Sequence, residues 1–246
     1  MKKLILITGA SQGIGREISF QLAKEGHDLI LVSRNLSKLL KVKKEISGFG
    51  TNCYLFSCDL TKKSQIQSLH KKLKKQRLWP SDIINNAGIG GAFKKIENLN
   101  ITEWDSIISL NLTSVFLLLK NFIPKMKENK KGSIINIASI YGIIGGENSV
   151  AYSTTKHGLV GLTKSLALEL LNYNIKCNAI LPGFIKTPMI KTKQHTKIVG
   201  SKGKAFLGTP SDVANLVIFL LSENSRHING TTLVLDGGML AGIKIS

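Results

Sequence analysis

The sequence predicts an α/β fold in which a single domain, residues 1–246, forms one doubly wound parallel β-sheet with helices on both faces. Short apolar runs alternate along the chain with longer amphipathic segments, which is the pattern of repeated βαβ units. With 246 residues and 43% hydrophobic side chains, the chain is large enough to bury one sizeable core. No repeat, low-complexity stretch or Pro/Ser-rich linker interrupts the alternation, so nothing marks a second domain.

The apolar runs are the predicted strands, and they cover Leu4–Thr8, Leu29–Ser33, Cys53–Cys58, Ile83–Ile84, Ser133–Ala138, Lys176–Ile180 and Thr232–Leu235. The segments between them predict helices at Gly13–Gly26, Ser37–Ser47, Lys63–Gln76, Thr102–Lys127, Ala151–Leu171 and Ser211–Leu221. The stretch Ile185–Phe206 is basic and lacks apolar periodicity. We therefore expect a loop or mobile helical flap there, at the carboxyl edge where such sheets bind ligands.

The chain is strongly basic, with 34 Lys and Arg residues against 15 Asp and Glu residues and a formal net charge of +19. Only four of the basic residues are Arg, and Ile and Asn are also abundant, so a bias toward A/T-rich codons explains the charge. An anionic partner is the alternative. The lysines are scattered over predicted helices with no interleaved aromatic residues, so we expect no nucleic acid partner.

Several classes of protein are not supported by the remaining composition. The three cysteines, Cys53, Cys58 and Cys177, form neither a disulfide framework nor a zinc motif. The histidines have no ligand spacing with carboxylates, so we expect no catalytic metal. No uninterrupted apolar stretch approaches the roughly 18 residues of a membrane span, and no cleavage site follows the first apolar run. We therefore expect a cytoplasmic protein without a membrane segment.

A glycine-rich turn directly follows the first predicted strand and opens the first predicted helix. It contains Gly9, Ser11, Gln12, Gly13, Ile14 and Gly15. Gly9 allows a tight turn, Gly13 lets backbone amides approach a phosphate, and Gly15 allows close helix packing. The helix N-terminus adds positive potential, so the turn predicts a Rossmann-type dinucleotide site, with a plain glycine-rich turn as the alternative.

The end of the second predicted strand indicates which dinucleotide binds. An NAD site usually has a carboxylate there for the ribose 2′-hydroxyl. This chain has Ser33 and Arg34 instead, and Arg16 follows the glycine turn. Two guanidinium groups suit a 2′-phosphate, so we predict NADP(H) rather than NAD(H), with two ordinary surface arginines as the alternative.

From Lys3 to Gly238 the sequence resembles the short-chain dehydrogenase/reductase family. The motifs that carry the resemblance are the glycine turn, Cys58–Leu60, Asn85–Gly88, Asn111–Phe116, Ser139, Tyr152–Lys156 and Pro182–Thr187. The resemblance implies that Asp59 and Leu60 lie against adenine. It implies contacts along the cofactor from Asn86, Ala87 and Gly88, and contacts around the nicotinamide from Pro182, Gly183, Ile185 and Thr187. It also implies that Asn111 holds a water in a proton relay and that Lys156 binds the nicotinamide ribose.

The catalytic chemistry follows from the side chains themselves. Tyr152 and Lys156 are four residues apart in a predicted helix, so their side chains share one face. A nearby ammonium lowers the pKa of a phenol, which lets Tyr152 exchange a proton with a carbonyl or alcohol oxygen. Ser139 ends the fifth strand, where its hydroxyl is placed to hydrogen-bond the same oxygen. His157 follows Lys156 but faces another direction on the helix, so we interpret it as structural.

Within the family, the sequence is most similar to the 3-oxoacyl-acyl-carrier-protein reductases, through Asn111–Phe116, Ala151–Glu169, Pro182–Ile185 and Asp236–Met239. This favours NADPH-dependent reduction of a 3-oxoacyl thioester on acyl carrier protein. The alternatives are another small ketone or alcohol, such as a sugar, a steroid-like ring or an acyl-CoA, and a non-catalytic dinucleotide-sensing or nucleic-acid-binding protein. The resemblance builds the substrate pocket from Gly90–Asn98, Ile140–Ser149 and Ile185–Phe206, and the sequence does not fix its specificity.

The sequence also bears on two kinds of protein partner, acyl carrier protein and further copies of the same chain. Where those reductases carry basic residues for acyl carrier protein, this chain has Lys130 and Tyr173, so one charge is retained and one replaced. The predicted helices Thr102–Lys127 and Ala151–Leu171 are longer and more apolar than one sheet face needs, which predicts a homotetramer. Deep burial within one subunit is the alternative.

Overall fold

Seven parallel strands form one sheet in this computed structural model, which describes residues 2–91, 93–188 and 207–242. The strands are β1 (Leu4–Thr8), β2 (Asp28–Ser33), β3 (Cys53–Ser57), β4 (Asp82–Asn85), β5 (Gly132–Ile137), β6 (Ile175–Pro182) and β7 (Thr232–Leu235). Their order is β3-β2-β1-β4-β5-β6-β7, and every pairing between them is parallel. The predicted doubly wound α/β fold is therefore confirmed, with each predicted strand present.

The helices lie on both faces of the sheet. They are α1 (Gly13–Lys24), α2 (Leu36–Ile46), α3 (Lys63–Lys75), α4 (Ile101–Ile108), α5 (Ser114–Asn129), α6 (Val150–Glu169) and α7 (Pro210–Leu221). Successive strand residues point to opposite faces, so Leu6 packs with α3, α5 and α6 while Ile5 and Ile7 pack with α1, α2 and α7. These two apolar clusters are the core on which the site is built.

The predicted helix Thr102–Lys127 is not continuous. A π-helical segment, Ser109–Thr113, separates α4 from α5 and has Leu110 and Asn111 buried. Such segments are uncommon and often occur at functional positions. Nothing in the apolar spacing of the sequence marks it, because residues on both sides keep the helical pattern.

The helical stretch Ile101–Asn129 is long and apolar enough to cross a membrane by length and composition, since a window of 18 residues within it has a mean hydropathy of 1.6. The expectation that no stretch would reach this size considered only uninterrupted apolar runs, and Lys120 and Asn121 interrupt this one. Within the protein, Val115, Leu118 and Phe122 of this stretch are buried in the core. These contacts are those of a core helix.

A buried chain of polar side chains fixes the strands beneath the site. Asn85 donates to Asn136 at 2.8 Å, and Asn136 donates to the Thr163 hydroxyl at 2.8 Å. Thr163 in turn donates to the Leu159 carbonyl within α6 at 2.7 Å. Because buried polar groups are costly when unpaired, this series of hydrogen bonds holds β4, β5 and α6 in one relative position.

Candidate active site

A cavity of about 380 Å³ opens at the carboxyl edge of the sheet, between the ends of β1, β2, β4, β5 and β6. Most of the predicted site residues line it: Gly9, Ser11, Gln12, Gly13, Ile14, Ser33, Arg34, Leu60, Asn86, Ala87, Gly88, Ser139, Tyr152, Lys156, Pro182, Gly183, Ile185 and Thr187. Gly15, Asp59 and Asn111 do not line it. The sheet therefore brings residues from distant parts of the chain to one site.

The glycine turn has the backbone that its sequence predicts. Gly9 and Gly13 have φ angles of +66° and +56°, a region that favours glycine. Gly15 lies beside the turn rather than in the cavity wall. A Cβ atom at Gly15 would overlap the Asn86 side-chain amide and the Gly9 carbonyl. The predicted close packing at Gly15 is therefore present, whereas contact of Gly15 with the cavity is absent.

Asn86 ties this turn to the end of β4. Its side-chain amide donates to the Thr8 carbonyl at 2.9 Å and to the Gly9 carbonyl at 3.3 Å. The backbone amides of Asn86 and Ala87 both donate to the Thr8 hydroxyl at 3.0 Å. No acidic residue occupies the first turn of α1, and the side chain of Gln12, the residue before it, makes no capping hydrogen bond. The first amides of the helix therefore suit an anion.

Substitution of Gly15 with alanine tests this packing. We expect the free energy of unfolding to fall by about 1–3 kcal/mol, the usual cost of overpacking, because the new Cβ displaces Asn86. The dissociation constant for the dinucleotide that the glycine turn predicts should rise about tenfold as the turn shifts. Urea unfolding and fluorescence titration measure both effects. Gly48→Ala is the matched control, since a Cβ there meets nothing within 4 Å, and equal stability of the two variants would contradict the packing argument.

The basic side chains near the end of β2 are not the predicted pair of Arg16 and Arg34. Arg34 lines the cavity, but Arg16 does not; its Nε donates to a Glu45 carboxylate oxygen at 2.8 Å. Lys38 takes the second place instead, with its Nζ atom 2.8 Å from the Gln12 side-chain oxygen in an adjoining cleft that Arg34 also lines. The prediction for Arg16 is therefore wrong, because a carboxylate 29 residues away pairs with it.

Asp59 also departs from its implied place against adenine. Its carboxylate accepts hydrogen bonds from the Thr61 amide at 3.0 Å and the Thr61 hydroxyl at 2.8 Å, so it closes a local turn. Desolvation raises the pKa of Asp59, but these hydrogen bonds and the nearby Arg34 charge outweigh it and lower the pKa. Cys58 and Leu60 on either side line the cavity, which leaves an apolar wall there.

Ser139, Tyr152 and Lys156 meet at the opposite end of the cavity. Ser139 follows β5, and its hydroxyl accepts a hydrogen bond from the Tyr141 amide at 3.3 Å. Tyr152 and Lys156 lie one helical turn apart on α6, and the Lys156 Nζ is 5.5 Å from the centroid of the Tyr152 ring. Lys156 is buried and donates to the Ile137 carbonyl at 3.0 Å.

The pKa values of this pair correct the sequence-based expectation. Burial raises the pKa of Tyr152 to about 12, although hydrogen bonding with Ser139 opposes the rise. Burial lowers the pKa of Lys156 to about 8. Desolvation is the largest cause of both shifts, and the Lys156 ammonium is not among the causes that act on the pKa of Tyr152. Tyr152 is a phenol at neutral pH, which suits a proton donor.

Asn111 lies behind the cavity in the π-helical segment and is 1% exposed. Its side chain accepts from the Ile89 amide and donates to the Ile89 carbonyl, both at 2.9 Å. It also donates to the Thr155 hydroxyl at 3.3 Å, next to Lys156. The side chain is therefore occupied in joining α6 to the loop after β4. The implied role of Asn111 in holding a relay water stays a prediction.

Aromatic side chains flank Tyr152, and the sequence analysis did not single them out. The ring centroids of Phe93 and Tyr141 lie 6.3 Å and 5.9 Å from that of Tyr152. Both residues line the cavity and fall within the segments that the resemblance assigned to the substrate pocket. No spacing rule identifies them, because their proximity arises from the loops after β4 and β5.

The His157 ring lies 3.0 Å from the Ser153 carbonyl on its own helix and does not line the cavity, in agreement with a structural role. Residues 189–206 of the predicted flap lie outside the described residues, while Ile185 and Gly208 on either side form a parallel bridge. Across the described ranges no group of three His, Cys, Asp or Glu residues is placed to hold a metal.

Comparison with known proteins agrees with this geometry. A family model described as short chain dehydrogenase matches residues 3–198. The 3-oxoacyl-[acyl-carrier-protein] reductase of Buchnera aphidicola is 36% identical over 243 residues, which are 97% of each chain. The solved structure of levodione reductase has a TM-score of 0.91 at 31% identity, covering 98% of both chains. NAD+-bound xylitol dehydrogenase has a TM-score of 0.85 at 27% identity, covering 96% of this chain and 98% of that one. The chain therefore belongs to the short-chain dehydrogenase family, whose members are oxidoreductases that bind a nicotinamide dinucleotide.

Proposed function

We propose that the protein is an NADPH-dependent carbonyl reductase that acts on a 3-oxoacyl thioester carried by acyl carrier protein. One observation carries the chemistry: Ser139, Tyr152 and Lys156 line the same cavity as the glycine turn and Arg34. The sequence identity of 36% with a 3-oxoacyl-[acyl-carrier-protein] reductase supports this substrate. The similarity to levodione reductase supports a second candidate, reduction of another small ketone.

The donor groups of the cavity fit NADPH along its length. Arg34 and Lys38 supply two cations without a lining carboxylate, which suits a 2′-phosphate. The glycine turn and the N-terminus of α1 suit the pyrophosphate. Lys156, Pro182, Gly183, Ile185 and Thr187 are the residues that would hold the nicotinamide riboside, and Leu60 and Cys58 give the adenine an apolar wall.

The protein's own groups then handle the substrate oxygen and its proton. When bound, NADPH supplies the hydride that reduces the carbonyl carbon. Ser139 donates a hydrogen bond to the carbonyl oxygen, and Tyr152 transfers its phenolic proton to that oxygen as negative charge develops. Lys156, whose pKa of about 8 is close to neutral, stabilises the phenolate and returns a proton to it. Asn111 acts as a positioning residue through its two hydrogen bonds to Ile89.

Loss of NADPH absorbance with acetoacetyl thioesters of acyl carrier protein and coenzyme A tests the proposal, with NADH assayed alongside. Turnover with NADPH and the carrier-protein thioester is the expected result. Tight NADPH binding with turnover of other ketones only would overturn the acyl substrate. Binding without turnover of any ketone or alcohol would favour the dinucleotide-sensing alternative.

The cations of the 2′-phosphate site give a separate prediction. Arg34→Ala should raise the KM for NADPH about tenfold, since a charge-assisted hydrogen bond contributes roughly 1.5–3 kcal/mol, and Lys38→Ala should raise it further. The KM for NADH should stay within about twofold, because NADH has no phosphate there. Steady-state kinetics with both cofactors measures the effect. Arg16→Ala is the matched control, and a rise in its KM for NADPH as large as that of Arg34→Ala would contradict the assignment.

We also propose a cytoplasmic homotetramer. Phe116 on α5 is 49% exposed and Leu168 on α6 is 78% exposed, so these helices carry apolar surface that one subunit does not bury. Lys130 at the end of α5 is exposed, and the Lys127 Nζ lies 4.7 Å from the centroid of the Tyr173 ring beside it, which leaves basic groups for an acidic carrier protein. Light scattering at micromolar concentration tests the assembly, and a monomer would overturn it.

A further inference from the structure

Few polar side chains surround Tyr152, and most of them already have an assigned role or a contact within the protein. Among the described residues that line this half of the cavity, Ser139 and Tyr152 serve the reacting oxygen, and Lys156 donates to Ile137. Thr187 lies against Gly13 of the glycine turn, at 3.5 Å from a Cβ built there. Tyr141 is the other hydroxyl in this wall, and the mechanism proposed above does not use it.

The Tyr141 side chain is held firmly at this position. Its ring makes an edge-to-face contact with Tyr152, with the two rings 82° apart. Gly146 lies against the edge of the ring that carries the hydroxyl, since a Cβ at Gly146 would be 2.9 Å from the ring carbon bonded to that oxygen. The ring is therefore confined between Gly146 and Tyr152.

The hydroxyl of Tyr141 is free to bind a ligand. It has no hydrogen-bond partner within the described part of the chain, and Tyr141 is only half-buried in the cavity wall. A phenol that lines a cavity usually finds a partner for its O–H group, because a desolvated donor without one is costly. Tyr141 and Tyr152 line the same cavity with their ring centroids 5.9 Å apart, so a ligand at Tyr152 occupies the cavity that the Tyr141 side chain also lines.

We propose that Tyr141 donates a hydrogen bond to a second oxygen of the substrate, close along the molecule to the reacting carbonyl, and so selects dicarbonyl substrates over simple ketones. The inference rests on the proposed carbonyl-reductase function. In a 3-oxoacyl thioester this second oxygen is the thioester carbonyl, and in a cyclic or linear diketone it is the other ketone. Phe93, whose ring centroid lies 6.3 Å from that of Tyr152, adds apolar surface to the cavity wall for the carbon skeleton.

Tyr141→Phe removes the hydroxyl and keeps the ring, so it isolates this hydrogen bond. The substrates are pentane-2,4-dione and pentan-2-one, together with an acetoacetyl thioester. We expect the ratio of kcat/KM for the diketone to kcat/KM for the monoketone to fall about tenfold. The fall should come from a higher KM for the diketone, because the hydrogen bond is made in the bound substrate as well as during the reaction. Gly146→Ala should lower the same ratio by displacing the ring. Tyr54→Phe, on β3 outside the cavity, is the matched control and should leave the ratio unchanged.

An equal loss on both ketones would show that Tyr141 acts by holding Tyr152, and no loss on either would show that it touches no substrate; both results overturn the inference. Failure of the thioester with turnover of the diketone would overturn only the acyl substrate of the proposed function. If the wild-type protein reduces none of these compounds, the dissociation constants of the diketone and the monoketone are measured on the NADP+-loaded protein. If the ratio of these two constants is the same in Tyr141→Phe as in the wild type, the inference is overturned.

Discussion

Replacement of Tyr152 with phenylalanine is expected to lower kcat for ketone reduction by about 10³-fold, within the range of general acid catalysis. The aromatic ring remains next to those of Phe93 and Tyr141, so the shape of the cavity is retained while its proton donor is lost. The Ser139 hydroxyl still polarises the carbonyl, which leaves some residual activity. Stopped-flow or steady-state loss of NADPH absorbance measures the change, and fluorescence titration of NADPH should give a dissociation constant within about threefold of wild type.

Tyr54→Phe is the matched control, because Tyr54 lies on β3 and packs against the core rather than the cavity. It removes the same phenolic oxygen from the protein without touching the site. Retention of more than about a tenth of wild-type kcat in Tyr152→Phe would remove Tyr152 from the role of general acid, since that role accounts for 10²-fold or more. A parallel loss of NADPH binding would instead indicate that the phenol holds the cofactor site together.

Much of the fold was predictable because it depends on short-range patterns. The run Leu4–Thr8 is buried along most of its length, as an apolar run in a parallel sheet should be, and Gly9 and Gly13 adopt the positive φ angles that their positions suggest. The same holds for Tyr152 and Lys156, whose spacing on one helix brings them to one face. Such features are local, so the sequence contains the information needed to infer them.

The errors involve contacts between distant residues or the balance of two energies. Arg16 pairs with Glu45 from another helix, and Lys38 reaches Gln12 across the cleft, and neither pairing follows from spacing. Tyr141 and Phe93 meet at Tyr152 only once two loops are folded. The direction of the Tyr152 pKa shift depends on how much desolvation outweighs a charge, which requires the burial of both groups. These features need the assembled sheet edge.

Replacement of Lys156 with methionine is expected to lower kcat/KM by about 10²-fold or more and to change how stability depends on pH. Burial lowers the pKa of Lys156 in the folded protein to about 8, from 10.5. Between these values the unfolded chain keeps a proton that the folded chain has released, so the free energy of unfolding increases with pH, by about 1.4 kcal/mol for each unit of the pKa difference. Below the folded value both states carry the proton, and the cost of burying the charge is fully present. Urea unfolding across this range measures the increase.

The Lys156→Met variant should lack this increase, because methionine fills a similar volume without a titrating group. Both proteins are compared in the Tyr152→Phe background, since the phenol next to Lys156 titrates as well. Lys164→Met, on an exposed position of the same helix, is the control and should keep the wild-type pH dependence. The same slope in all three proteins would mean that Lys156 is not buried as a weakened base. The return of a proton from Lys156 to the Tyr152 phenolate would then be driven only by the smaller difference between an ordinary ammonium pKa and the Tyr152 pKa of about 12.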